Sequence, residues 1–231
     1  MTGHKSTSPH DASQVALAKS VYEGLRDEIV SGKLMPGAAL SRRQIASRYG
    51  TSYIPVIEAM TRLESAGLIE VEARQVARVR KITLETIEAD YVLREAFETQ
   101  AIRMACERAT EAEIRELYES AEAVDARVAA GGTKKTRDKQ GPLLHRNFHR
   151  RIAEISRSRS LVRELERIEL LRRLQANWYF ADEIPDTPRC HSRLVDCIKD
   201  RDPVRADAEM RLHVRRGLEK ELLSYRMKID P

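Results

Sequence analysis

The sequence predicts a mainly α-helical protein in two parts, an N-terminal group of helices closed by a small β-hairpin and a C-terminal bundle built of helices alone. Three observations lead there. Apolar residues recur at three- and four-residue steps along most of the chain, the signature of helices with one buried face. That period gives way to alternation once, between Leu68 and Ile82, where a pair of short strands fits. Aromatic residues make up only 5% of the chain against 33% charged, a composition suited to amphipathic helices. At 231 residues the chain is long enough for two modest domains, each with its own core.

The polar stretch over residues 1–12 shows no apolar period and is expected to be a disordered lead-in. From Ser13 to Val30 the residues Val15, Leu17, Val21, Leu25 and Ile29 trace a helix that Gly32 and Pro36-Gly37 end. A second, short helix fits Arg42 to Tyr49, with Ser41 as its N-cap, Ile45 and Ala46 facing inward and Gly50 closing it. After the turn Gly50-Thr51-Ser52, a third helix runs through Val56, Met60 and Leu63 to Ala66 and stops at Gly67. Two short helices joined by a small polar turn are what a helix-turn-helix requires. Leu68, Ile69 and Val71 then supply one strand, and Val76, Val79 and Ile82 another across a turn near Arg74-Gln75, forming a wing. The N-terminal part is therefore expected over residues 13–82, and the all-helical part over 83–231. Helices are expected in the latter at about residues 84–107, 111–129, 143–156, 160–180, 188–199 and 203–226. A charged loop flanked by Gly131-Gly132 and Gly141-Pro142 interrupts them, and Pro188 and Pro203 fall near first helical positions.

Charge and cysteine usage narrow the setting. No run approaches the roughly 20 apolar residues that a membrane span requires, and the first residues lack the apolar core of a signal peptide. Cys106, Cys190 and Cys197 are odd in number and form no CxxC pair, which points to a reducing cytoplasm rather than a disulfide scaffold. The formal charge of +5 is uneven: residues 1–82 carry 12 Lys and Arg against 8 Asp and Glu, leaving 29 against 28 for the rest. A modest basic excess on the helix-turn-helix is compatible with phosphate contacts and equally with a solvated surface.

The segment VYEGLRDEIVSGKLMPGAALSRRQIASRYGTSYIPVIEAMTRLESAGLIEV carries a G-x-L-x-PG-x-x-L-S turn, a basic helix, a P-V-x-E-A helix and an R-L-E-x-x-G-L-I exit in order. It resembles the winged helix-turn-helix of GntR-family regulators. Arg94-Glu95-Ala96-Phe97-Glu98, Asn147-Phe148-His149, His191 and His213 resemble the FCD effector domain of the FadR subfamily. The resemblance implies that the third helix enters the DNA major groove while its neighbours and the wing touch phosphates. It places Arg43 on the family's DNA-contacting arginine, and the wider contact set expected is Ser41, Arg42, Thr51, Ser52, Tyr53, Arg62 and, in the wing, Arg74. Two departures matter. Tyr53 and Ile57 stand where relatives usually carry arginines, and no glycine occupies the wing near Val76 or Ala77. Because Arg paired to guanine is the commonest specific base contact, this chain should not read the usual operator in the usual way.

Four of the six histidines, His145, His149, His191 and His213, lie in the all-helical part. Spacing alone sets His145 and His149 on one helix face, one turn apart. The resemblance implies that His149, His191 and His213 are metal ligands, with His145 standing where relatives usually have an aspartate. Imidazole in place of a carboxylate removes a negative charge and favours borderline metals such as zinc or nickel. The resemblance further implies a small carboxylate effector at that metal, with Arg94 facing the cavity. Arg172 and Arg173 are expected at the surface, and Trp178, Tyr179 and Phe180 in a core.

The expectation that follows is a cytoplasmic, homodimeric transcriptional regulator that binds double-stranded operator DNA under control of a metal-assisted effector site. Two alternatives belong to other classes. One is a GntR-like metal- or ligand-binding module that has lost specific DNA readout. The other is a histidine-site metalloenzyme, for which the sequence offers no HExxH, no nucleophile-and-base pair and no phosphate loop.

Overall fold

A computed structural model describes residues 9–72, 76–129, 140–176 and 189–229. The chain divides into two compact units, one running to Ile82 together with the end of the seventh helix from Arg173, the other comprising the remaining helices from Thr83 on.

The first unit is built from α1 (Pro9–Val30), β1 (Ala39–Leu40), α2 (Arg42–Tyr49), α3 (Tyr53–Ser65), β2 (Ile69–Glu72) and β3 (Val76–Val79). Helix α1 begins at Pro9, earlier than expected, with proline at the first helical position, where its missing N–H costs nothing. Its buried stripe is Ala18, Val21, Leu25 and Ile29, while Val15 and Leu17 are exposed. Leu17 lies off the 18-21-25-29 face, and the alanine missing from the sequence reading is the residue that completes it. Against this stripe packs α3, through its buried Val56, Ala59, Met60 and Leu63. Ser41 caps α2, accepting from the Gln44 N–H at 3.4 Å, and Gly50 ends it at φ 58°, a left-handed conformation that glycine enters without steric cost.

The wing is a three-stranded antiparallel sheet of order β1-β3-β2. Its third member, Ala39–Leu40, pairs with Arg78 and Ala77. Two residues are too few for an alternating pattern, so this strand leaves no periodic signal in the sequence. Ile69, Ala77 and Val79 face inward, whereas Val71 and Val76 are exposed.

The second unit contains α4 (Leu84–Arg108), α5 (Glu111–Ala129), α6 (Gln140–Ile155), α7 (Arg159–Ala176), α8 (Cys190–Lys199) and α9 (Pro203–Ile229). Thr83 and Thr86 form a capping box at the start of α4. Thr110 and Glu113 do the same for α5: the Glu113 N–H donates to Thr110 Oγ1 at 3.3 Å and the Thr110 N–H to Glu113 Oε2 at 3.0 Å. Helix α6 starts at Gln140, so Gly141 and Pro142 lie in its first turn rather than in the preceding loop. Helix α4 packs on α9, α6 and α8, while α5 packs on α6 and α8. Phe148, Ile152, Leu117, Ile102 and Leu194 fill the centre of this bundle. Cys106, Cys190 and Cys197 are buried and in no disulfide.

Candidate metal centre and nucleic-acid interface

Four imidazoles meet where α6, α8 and α9 converge. Helical spacing puts His145 and His149 one turn apart on α6, with ring centroids at 4.5 Å, while α8 delivers His191 and α9 delivers His213. One ring nitrogen from each of the four lies within 4.8 Å of the others. His149 Nε2 and His213 Nε2 are 3.1 Å apart, and Phe148 stands edge-on to both His149 and His191, walling the cluster.

The ring orientations are fixed from outside the cluster. Asp125 on α5 lies 2.8 Å from Nδ1 of the fully buried His191, and its two oxygens also accept from the His191 and Ser192 N–H groups and from Ser192 Oγ. Burial alone would raise the Asp125 carboxyl, but the His191 and Ser192 donors outweigh it and hold it at about 2. The carboxylate is thus ionised at neutral pH and can only accept, so Nδ1 of His191 donates to it, which leaves Nε2 as the nitrogen turned into the cluster. That Nε2 is buried without a hydrogen-bond partner among the described residues. A second carboxylate, Glu98 on α4, faces His149 Nδ1 at 2.5 Å and forms a buried ion pair with Arg94. Burial opposes the Glu98 charge, yet the Arg94 guanidinium and His149 hold it well below the usual carboxylate range. Burial, with the neighbouring imidazoles, pushes His145 and His213 well below the ordinary histidine range; burial also lowers His149, against the pull of Glu98.

This donor set fits a transition metal. His145, His149 and His213, kept neutral by burial, present lone pairs rather than protons, and a carboxylate on the outer ring nitrogen, as Asp125 is on His191, is the usual support of a histidine ligand. Bonds of about 2.0–2.1 Å in a tetrahedron put ligand nitrogens about 3.3 Å apart, close to the His149–His213 separation. An unpartnered buried nitrogen such as His191 Nε2 is otherwise costly, by roughly 1–3 kcal/mol.

Arg94 is buried, tied to Glu98 and set over the Tyr91 ring at 5.3 Å. Gly217 on α9 lies against Arg94 and Tyr91: a Cβ there would press on Tyr91 Oη at 3.3 Å and make ordinary contact with Arg94 Nη1 at 3.5 Å. Arg172 corrects its surface expectation. Its guanidinium is largely covered, lying 5.8 Å from the Tyr91 ring, 3.3 Å from Glu169 and 4.0 Å from Glu221. Arg173 is exposed, as expected. Trp178, Tyr179 and Phe180 lie outside the described residues.

Sequence reasoning missed Asp125 and assigned no role to Glu98. The second had a signal, for Arg94 and Glu98 are four apart on a helix, the spacing of an ion pair. Asp125 had none, being 66 positions from the histidine it orients.

In the first unit, Arg43 is exposed and Arg42 partly covered in the first turn of α2, while at the turn between α2 and α3 Ser52 and Tyr53 are exposed and Thr51 partly covered. Arg43 has no hydrogen-bond or ion-pair partner among the described residues. The Ser41 hydroxyl is engaged in capping α2, whereas Ser52, at the N-cap of α3, makes no side-chain cap bond. Arg62 lies over the Tyr22 ring at 4.2 Å, and Arg48 bonds Glu28 at 3.0 Å, so both are partly committed within the fold. Arg74 lies outside the described residues.

Residues 17–79 match the gntR family of bacterial regulatory proteins, and residues 90–216 match the FCD domain. The chain is 26% identical to the HTH-type transcriptional regulator YdhC of Bacillus subtilis (strain 168), over 83% of this chain and 85% of that protein. It is 28% identical to the probable D-xylose utilization operon transcriptional repressor of Paenarthrobacter nicotinovorans, over 87% of each. Among solved structures, E. coli McbR/YncC superposes with a TM-score of 0.66 at 21% identity, covering 90% of this chain and 98% of that one. A GntR transcriptional regulator from Rhodococcus sp. RHA1 also reaches 0.66, at 20% identity, covering 91% and 100%. These relatives and structural neighbours are transcriptional regulators, not enzymes. No helix among the described residues is long and apolar enough to cross a membrane.

Proposed function

We propose, on the premise that this chain belongs to the GntR family of bacterial transcriptional regulators and carries an FCD domain, that its operator affinity is set by a small carboxylate effector held at a metal centre in the second unit. The observation that carries this reading is His191 Nε2, a buried ring nitrogen with no hydrogen-bond partner among the described residues, oriented into the cluster by Asp125 on Nδ1. His145, His149, His191 and His213 would hold the metal, and zinc or nickel suits four imidazole ligands better than a hard cation does. The bound ion would supply positive charge and, with one histidine displaced or the coordination expanded, a position for a carboxylate oxygen.

The chain's own residues supply the coupling. Arg94 lies near enough to the centre to act on His145 and His213, yet Glu98 already occupies it, and Glu98 also faces His149. An effector carboxylate reaching Arg94 therefore competes with Glu98 and alters the support of a ligand histidine. In a homodimer, the two α3 helices would address half-sites about 34–36 Å apart, one turn of DNA. Effector occupancy that favours one dimer geometry by about 1–3 kcal/mol changes operator affinity by roughly 5- to 150-fold. The two-part arrangement is that of the FadR subfamily, and such a regulator works in the cytoplasm.

Metal content of the purified full-length chain, compared with the His149→Ala and His213→Ala variants, tests this reading. It predicts about one zinc or nickel per chain and a large loss in each variant. Equal metal content in all three would refute it.

A further inference from the structure

The exposed face of α3 is apolar at the end where a recognition helix meets base edges. Tyr53, Ile54 and Ile57 are 52%, 62% and 45% exposed, all within the first five residues of the helix, while the opposite face is buried on α1. In a helix-turn-helix, the N-terminal residues of the second helix are those that contact bases in the major groove. No arginine or lysine stands there. The first cation of α3 is Arg62, already laid over Tyr22. Guanine, whose major-groove edge presents acceptors alone, has no matching donor fork on this surface. One base offers an apolar group in the major groove, and it is thymine, through its C5 methyl. Glu58, exposed on the same side, can only accept, which matches the amino group of cytosine. The Ser52 hydroxyl, which makes no cap bond, adjoins this face at the start of α3, and Arg43, exposed in the first turn of α2 and without a partner among the described residues, adds charge complementary to a phosphate backbone.

We propose that this chain reads thymine by apolar contact: Ile54, Ile57 and the ring of Tyr53 pack on thymine methyl groups in the major groove, while Arg43 and its neighbours hold the phosphates. The inference rests on the DNA-binding reading above and adds the base preference. Ile57 and Tyr53 are then specificity-determining residues rather than marks of a lost site.

Selection of binding sites from a random duplex pool by the full-length chain, followed by replacement of each selected thymine with deoxyuridine, tests it. Deoxyuridine keeps every hydrogen-bonding group and lacks only the methyl. Sites rich in thymine are expected under α3, with about a fourfold loss of affinity for each packed methyl removed. In Ile57→Ala, the loss at one thymine position should vanish, and Ile57→Arg should shift that position toward guanine. Both changes are at an exposed side chain and leave the core intact. Enriched sites indifferent to deoxyuridine would overturn the inference and leave DNA binding standing. Failure to enrich any site would overturn both. If Ile57→Ala altered self-association instead of thymine preference, the face would be a contact between copies of this chain and the inference would fail.

Discussion

Asp125 Oδ1 and His191 Nδ1 lie 2.8 Å apart, and the same carboxylate accepts the N–H groups of His191 and Ser192 at the start of α8. One side chain thus satisfies the otherwise orphaned amides of a helix N-terminus and fixes the tautomer of a histidine in that first turn. Position and ring orientation of His191 are set together, by a residue from another helix.

Asp125→Ala should therefore weaken metal binding by about 10- to 100-fold, the usual effect of removing a carboxylate behind a histidine ligand. Stability should fall by only about 0.5–2 kcal/mol, the range for removing a helix cap. Chelator competition and thermal unfolding separate the two effects. Unchanged metal affinity would mean that the carboxylate serves the helix alone.

Arg94 and Glu98 are a buried ion pair, so removing one member leaves the other charged and desolvated. Arg94→Ala should cost about 3–5 kcal/mol, and the double change Arg94→Met with Glu98→Leu distinctly less. Denaturant unfolding of both proteins checks the ordering. A double variant less stable than Arg94→Ala would contradict it.

Glu113 ties the start of α5 to an acid-sensitive ion pair. Burial would raise its carboxyl, but the Thr110 N–H and Arg157 lower it below the ordinary value. A carboxyl depressed in the folded state contributes stability above its unfolded pKa of about 4.3, and that contribution is lost as the pH falls through the folded value. Glu113→Gln loses the ion pair with Arg157 and should thus be less stable than the parent by about 0.2–1 kcal/mol near pH 7, and the gap should narrow below about pH 4. Thermal unfolding of the two proteins across pH 3–7 gives the curve, and a gap that widens in acid would contradict it.

Arg43 is exposed and without a partner among the described residues, as a phosphate-binding residue should be. Arg43→Ala should weaken DNA binding about equally across sequences and make the slope of log affinity against log salt shallower by about one. Titrations at several salt concentrations read this directly. A change confined to one operator sequence would instead make Arg43 a base reader.

Much of the fold is legible in the sequence because its causes are local. Ser41, Gly50 and Gly67 punctuate the short helices by cap and turn chemistry, and each occupies the place its chemistry requires. Periodicity finds the helices, yet it assigns Val15 and Leu17 to a buried face that in the structure belongs to Ala18, because alanine carries little weight in an apolar pattern. The pairing of His145 with His149 follows from four-residue spacing, whereas their meeting with His191 and His213 depends on how α6, α8 and α9 pack. Arg172 escapes a sequence reading for the same reason: a charged residue reads as surface until a partner such as Glu221, 49 positions away, is brought to it.

The most direct test is the affinity of the full-length chain for its selected DNA site before chelation, after it, and after zinc is restored, with circular dichroism confirming that the helices persist throughout. A metal-assisted sensor predicts that chelation changes affinity by roughly 5- to 150-fold and that zinc reverses the change. Affinity that stays constant while the metal is removed from a folded chain would contradict it.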